Sequence, residues 1–287
     1  LSENYRTMQD KDPYEPFTLA PTTRKKRPDA RAAGGILVTL GVLAVKFKTF
    51  LALAFSFKWL ILAPKLLLSF GSMFLSIWFY ALLFGWKFGV VFVLLILVHE
   101  MGHFLTFRNF GTAVSLPLFI PGLGAFVSSP MTADPARNAI AALMGPVFGV
   151  AAAAVCWGYG IATGEQFWIA AAYVGFFLNL FNLIPAFPFD GGRVAGAIDG
   201  RIWLVGVALL LGWVVVFRHF TPFTLLILIF VVVSSVPRGI AAWRGQVDPL
   251  TQIASPGQRG TLALAYFALI AIAVAGSAAT HIVTPRG

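Results

Sequence analysis

Residues 90–103 read VVFVLLILVHEMGH, an apolar run from Val90 to Val98 that passes without a break into His99-Glu100-Met101-Gly102-His103. The run has the length and composition of a helix surrounded by lipid or protein, and ionisable groups in such a setting are functional candidates by default. On a helix, positions i and i+4 share a face. Both imidazoles can therefore reach one metal ion, while Glu100 lies beside them as a base. This pattern needs a helical frame, and the rest of the chain supplies one.

Of the 287 residues 59% are hydrophobic and 11% charged, with a mean hydropathy of +0.84. A soluble domain carries about 25% charged residues, so the solvent for most of this chain is lipid. Several stretches approach the ~20 apolar residues that cross a ~30 Å hydrocarbon core, and the alternation of a β-barrel is missing. The fold class expected is all-α, a polytopic transmembrane helical bundle. The net charge of +10 comes from Lys and Arg at span ends and in the run Arg24-Lys25-Lys26-Arg27. That distribution fits contact with anionic membrane lipids rather than nucleic acid. The single Cys156 excludes an internal disulfide and a cysteine-rich metal site, and reads as a packed small residue.

Residues 1–35 read as a polar, basic, mobile tail rather than a signal peptide, and 36–87 as an interfacial or re-entrant segment followed by a first transmembrane helix. Lys46 and Lys48 argue against a simple crossing at 36–57. A catalytic core is expected over 88–193 and further transmembrane helices over 194–287. Spans are expected near 66–85, 88–107, 138–160, 167–187, 202–217, 222–236 and 261–282, with a break at Arg218-His219 and Pro222. Trp59, Trp78, Trp86, Trp203 and Trp243 fall near span ends, as an aromatic belt would. His219 and His281 read as interfacial residues outside the metal site. Between the second and third spans, 115–129 reads SLPLFIPGLGAFVSS. It is too broken by Pro and Gly for a helix and too apolar for an ordinary loop, so a small hairpin dipping into the bundle is expected.

Catalytic zinc keeps three protein ligands and one open position, so His99 and His103 need a third donor. Glu165 falls on the opposite membrane side from the end of the His99–His103 helix. Asp134, Asp199 and Asp248 lie in polar connections. Asp190 follows a helix that runs parallel to the His99–His103 helix, in NLIPAFPFDGG at 182–192. Pro185 and Pro188 end that helix and let the carboxylate turn inward.

With HEMGH at 99–103, NLIPAFPFDGG at 182–192 and GPVFG at 145–149, the segment 88–193 resembles the site-2 protease family of intramembrane zinc metalloproteases, peptidase family M50. Phe189 stands where the family commonly has Leu. The resemblance implies a bound Zn2+, with Asp190 as its third ligand and Glu100 as the catalytic base. It also implies that Asn182 helps hold the substrate backbone, that 115–129 is a membrane-embedded hairpin beside the site, and that the substrate is a transmembrane protein cleaved within or near its membrane segment. Two other readings compete. A membrane zinc peptidase of another lineage takes a later Glu as third ligand, and no Glu follows Glu165. A silent transporter or scaffold has no need of a complete set of His99, Glu100, His103 and Asp190.

Alternating spans put Arg108, Arg137, Arg193, Arg201, Arg238, Arg244 and Arg259 on the side where the His99–His103 helix ends, against Lys87, Arg218 and Arg286 opposite. Basic residues in short loops stay cytoplasmic, so the site is expected to open towards the cytoplasm of a cell membrane. With Cys156→Ala as background, a membrane-impermeant thiol reagent added outside intact cells should label Gly164→Cys and leave Arg193→Cys unlabelled. The reverse labelling pattern would invert this topology.

Overall fold

A single glycine turns the chain between its first two long helices: α2 (Phe57–Phe84) ends one residue before α3 (Trp86–Asn109) begins, and Gly85 takes φ 86°. That left-handed value is open to glycine at little cost. Next to the turn, Gly89 sits so close to the backbone of Ile77 and Ala81 that a Cβ would collide with it, so the two helices pack nearly backbone to backbone. Their seam is filled by Ile77, Tyr80, Val93 and Ile96, with Phe92 edge-on to Tyr80.

The structure, a computed structural model, describes residues 39–50, 57–130, 132–218, 220–246 and 253–281. Residues 39–50 are helical (α1) and largely solvent- or lipid-exposed, Lys46 and Lys48 included. The expected tail at 1–35, most of the flanks of α1, His219 and Asp248 lie outside the described residues. The described residues from 61 onward form one compact unit. In it α3 is followed by strands β1 (Leu118–Ile120) and β2 (Gly124–Phe126), then α4 (Pro135–Thr163), α5 (Gln166–Asn182), α6 (Asp190–Ile198), α7 (Ile202–Val216), α8 (Pro222–Trp243) and α9 (Pro256–Thr280).

The long α4 is the centre, packed against α3, α5, α6 and α9. Small residues make this possible: Ala139, Ala141, Ala142 and Ala153 are fully buried, and a Cβ on Gly102 of α3 would overlap the Met144 carbonyl of α4. Without a hydrophobic drive between helices in lipid, such close approach is what supplies dispersion contacts. Asp134 caps α4, accepting from the Ala136 and Arg137 amides at 2.9 and 3.3 Å. At the far end Lys87 pairs with Glu165 at 3.1 Å, joining the start of α3 to the α4–α5 turn.

The expected hairpin is present. Strands β1 and β2 pair antiparallel with Phe119 opposite Ala125. On α2, Ser69 donates to the Pro117 carbonyl at 2.6 Å and Ser72 accepts from the Phe119 amide at 3.1 Å. The outer edge of β1 is thereby occupied by α2. In an antiparallel pair, amides alternate between inward and outward directions. Since the Phe119 amide points out to Ser72, the amide and carbonyl of Ala125 point out on the other side, along the free edge of β2.

Several expectations need correction. Among the described residues, five helices are long and apolar enough to cross a membrane: 62–84, α3, α4, α8 and α9. The helix expected at 167–187 stops at Asn182, giving α5 17 residues or about 26 Å. The stop falls before Pro185 because a proline disfavours helical backbone in the residue before it and offers no amide to the preceding turn. Helix α7, at 15 residues, is also shorter than a full crossing. The split before α8 stands, with Arg218 at φ 51° and Thr221 capping the new helix. Residues 190–198, read as a connection, are helical. Trp203 does not belong to a belt: it is 2% exposed and donates Nε1–H to the Gly192 carbonyl at 2.6 Å, whereas Trp78, Trp86 and Trp243 are exposed.

Candidate metal centre

Near its C-terminal end, α3 carries His99, Glu100 and His103, all buried. The two imidazoles lie one turn apart on the face towards α4, α5 and α6, as i and i+4 must. Their outer ring nitrogens are both engaged. Asn179 of α5 donates its Nδ2 to the Gly175 carbonyl at 2.7 Å, which leaves Oδ1 as the atom facing His99 Nδ1 at 2.8 Å. The Ala141 carbonyl of α4 lies 2.8 Å from His103 Nδ1. Both partners can only accept, so both Nδ1 atoms carry the proton. In the neutral form of each ring, Nε2 is then the lone pair that faces Asp190.

The third corner comes from α6. Asp190 is its first residue, where the helix N-terminus favours a negative charge. Gly191 and Gly192 let α6 fold back on its own connection: a Cβ on the first would meet the Leu183 carbonyl and on the second the Ala186 carbonyl. Asp190 Oδ2 comes 3.1 Å from His99 Nε2 and 3.2 Å from His103 Nε2, and the two Nε2 atoms are 3.2 Å apart.

Three donor atoms at the corners of a nearly equilateral triangle, with the ring protons turned away, make a face that a cation satisfies. Tetrahedral zinc with bonds of about 2.0–2.1 Å separates adjacent donors by about 3.3–3.4 Å, so the residues fit such an ion. Glu100 is a further candidate donor, since its carboxylate comes within 4.8 Å of both imidazole donors. The tighter triangle is the one with Asp190, which leaves Glu100 free beside it.

The GPVFG stretch has a direct reading in this geometry. A Cβ on Gly145 would overlap the His103 ring, and one on Gly149 would overlap the Asn179 amide. The two glycines thus make room for one donor and for the partner of the other.

The donors stand in a cleft of about 890 Å³. Tyr80 and Ile96 line one side, Phe177 and Phe181 of α5 another, and Leu226 and Phe230 of α8 close it. Residues 124–127 run along it, and the Val127 backbone amide faces the Glu100 carboxylate. Asn182 lines the cleft, its Nδ2 donating to the Leu178 carbonyl at 3.2 Å. Exposed Arg193 adds a positive charge at the same wall. Of the other acidic candidates, Glu165 is paired with Lys87 and Asp134 caps α4, while Asp199 accepts from the Arg201 amide at 2.9 Å. His281 packs on Tyr173, away from the donors.

Residues 87–164 match peptidase family M50. That segment is similar to the M50 peptidases. The chain is also 29% identical over 115 residues to a zinc metalloprotease of Methanocaldococcus jannaschii, a match covering 38% of this chain and 34% of that one. The chain thus aligns with about a third of the length of that relative. The matched segment includes His99, Glu100, His103, Gly145 and Gly149. It stops before Asn179 and Asp190, whose place in the site rests on geometry.

Sequence reasoning missed Asn179. Its signal was available: a polar residue in α5 three positions before Asn182, within an otherwise apolar helix. The two asparagines should separate in a metal titration. Partners of zinc-bound histidines are worth roughly 10–100-fold in affinity. Asn179→Ala should weaken zinc binding by that amount, and Gly145→Ala should also lower zinc content, whereas Asn182→Ala should bind zinc as the unaltered chain does. Equal affinities for Asn179→Ala and the unaltered chain would remove Asn179 from the centre.

Proposed function

We propose that the chain is an intramembrane zinc metalloendopeptidase that hydrolyses peptide bonds within or near the transmembrane segments of membrane-protein substrates. The observation that carries this reading is the triangle of His99 Nε2, His103 Nε2 and Asp190 Oδ2, with sides of 3.1, 3.2 and 3.2 Å, set beside Glu100 in an apolar cleft among membrane-length helices. The match to peptidase family M50 and the similarity to a zinc metalloprotease support it.

Zinc held by these three residues would supply a Lewis acid that polarises a scissile carbonyl and lowers the pKa of a bound water towards ~7. The remaining work belongs to the chain. Asn179 and the Ala141 carbonyl keep the ring protons on Nδ1, so both Nε2 atoms stay available as donors. Glu100 accepts a proton from the attacking water at a carboxylate oxygen and delivers it to the leaving amide nitrogen. Its burial beside the cleft keeps that proton from exchanging freely with bulk water.

A substrate helix hides its carbonyls in its own hydrogen bonds, so the scissile stretch must be extended before attack. The free edge of β2 offers the Ala125 amide and carbonyl to such a stretch, pairing it as an added strand. Ser69 and Ser72 serve this by occupying the opposite edge of the hairpin. The apolar walls contributed by α5 and α8 accept the flanking side chains, and Asn182 stands where it can bond the substrate backbone. The partners are therefore a transmembrane protein and the surrounding lipid, in a multi-pass protein of the cell membrane with its site towards the cytoplasm.

The ligand and base roles separate experimentally. One zinc per chain is expected, lost in His99→Ala, His103→Ala and Asp190→Ala. It should be retained in Glu100→Gln, which should abolish cleavage of a reconstituted transmembrane substrate. Full zinc in Asp190→Ala would break the donor set, and activity in Glu100→Gln would remove the base.

The hairpin should affect turnover without affecting metal. Ala125→Pro deletes the outward amide of β2 and should cut cleavage by at least ~10-fold at unchanged zinc content. Wild-type cleavage by that variant would leave the hairpin without a part in substrate binding.

A further inference from the structure

The connection 183–189 and the start of α6 are fastened by side chains from three different helices of the C-terminal third. Tyr266 of α9, 2% exposed, donates its hydroxyl to the Leu183 carbonyl. Ser235 of α8, at 0% exposure, accepts from the Phe187 amide at 3.0 Å and lies 3.3 Å from the Phe187 carbonyl, to which it donates. Trp203 of α7 donates to the Gly192 carbonyl at 2.6 Å. Gly206, also on α7, lies against the Pro185 carbonyl so closely that no Cβ fits.

Most of this connection has no regular secondary structure. Leu183 and Ala186 are buried and most of the remaining residues partly so, and the side-chain bonds help decide where the chain runs. Asp190 lies between two of the fastened residues, three after Phe187 and two before Gly192. Its side chain has only two rotatable bonds, so the position of Oδ2 follows the position of its backbone. A donor set tolerates displacements of about half an ångström before its geometry is lost.

We propose that Ser235 and Trp203 are positioning residues for Asp190. They hold the backbone on either side of it and so set the third donor against His99 and His103. Helices α7 and α8 then complete the metal centre from outside the segment that matches peptidase family M50, without contributing a donor. Helix α8 also carries Leu226 and Phe230 of the cleft wall, so one helix shapes both the substrate space and the third donor.

This inference rests on the proposed zinc site. It is tested with the full chain in detergent micelles, comparing Ser235→Ala, Trp203→Phe and Thr280→Val. Thr280 is a control of similar burial, 1% exposed, whose hydroxyl bonds the Gly276 carbonyl away from the loop. Zinc affinity is read by competition with a chelator, and donor geometry by the visible absorption of the cobalt(II)-substituted protein. Ser235→Ala and Trp203→Phe should each weaken zinc by roughly 10–100-fold and shift the cobalt bands, with Thr280→Val unchanged in both. Ser235→Ala removes one atom and leaves the packing nearly unchanged, whereas Trp203→Phe keeps an aromatic ring but also leaves a small cavity, so the hydrogen-bond effect is read most directly at Ser235. Unchanged affinity and spectra in both would overturn the proposal, as would an equal loss in Thr280→Val. A loss in one alone assigns the role to that residue and withdraws it from the other. An unaltered chain that takes up no zinc defeats the proposed function itself, and this inference with it.

Discussion

Three polar side-chain atoms, His99 Nε2, His103 Nε2 and Asp190 Oδ2, converge to within 3.2 Å of one another from two helices, and the rest of the fold has to hold them there. They are held by what lies behind them. Asn179 and the Ala141 carbonyl fix the rings, α6 begins at the carboxylate, and Gly145 and Gly149 allow α4 to come close enough for those contacts. The bundle is in this sense organised around the convergence of two imidazoles and one carboxylate.

Small residues are the means by which the packing is done. Gly89 brings α2 to α3, Gly102 brings α3 to α4, and Gly206 brings α7 to the Asp190 connection. In lipid, the gain from such contacts is dispersion and hydrogen bonding rather than the release of water. Large side chains are correspondingly displaced to the outside: Phe74, Trp78, Leu82 and Phe230 are more than half exposed, as befits surfaces that face hydrocarbon or the cleft.

The apolar runs and the HExxH spacing made the helices and two candidate donors, His99 and His103, legible in the sequence, because length and i to i+4 periodicity are local properties, and Asp190 was singled out from its place after a parallel helix and from the family resemblance. The hairpin was legible for a similar reason, since Pro117, Pro121, Gly122 and Gly124 forbid a helix within a stretch too apolar to be free loop. Helix α6 was not legible. Two glycines follow Asp190 directly, and a sequence so poor in helix propensity is helical because its glycines fit against Leu183 and Ala186. Asn179 was passed over in favour of Asn182, which belongs to the recognisable string, although the residue that meets His99 is one turn earlier. Trp203 looked like an interfacial anchor because hydropathy cannot tell which side of a helix end is covered by another segment. The Asn179 contact joins two separate helices, and the other two depend on how the connection before α6 folds back on its neighbours.

Strand β2 is three residues long, about 10 Å, and with one edge taken by β1 it can match only about one helical turn of a partner chain. Unwinding a turn in a low-dielectric setting frees three or four backbone groups of each kind, and so short an edge restores only some of them. On the proposed function, the energetic balance of cleavage is therefore set by the substrate as much as by the enzyme. A segment whose helix is already weak, through glycine, proline or a polar side chain that bonds its own backbone, would enter the cleft at far lower cost than a uniform run of leucine. Selectivity of this kind ranks membrane helices by local stability and leaves the identity of individual side chains largely unread.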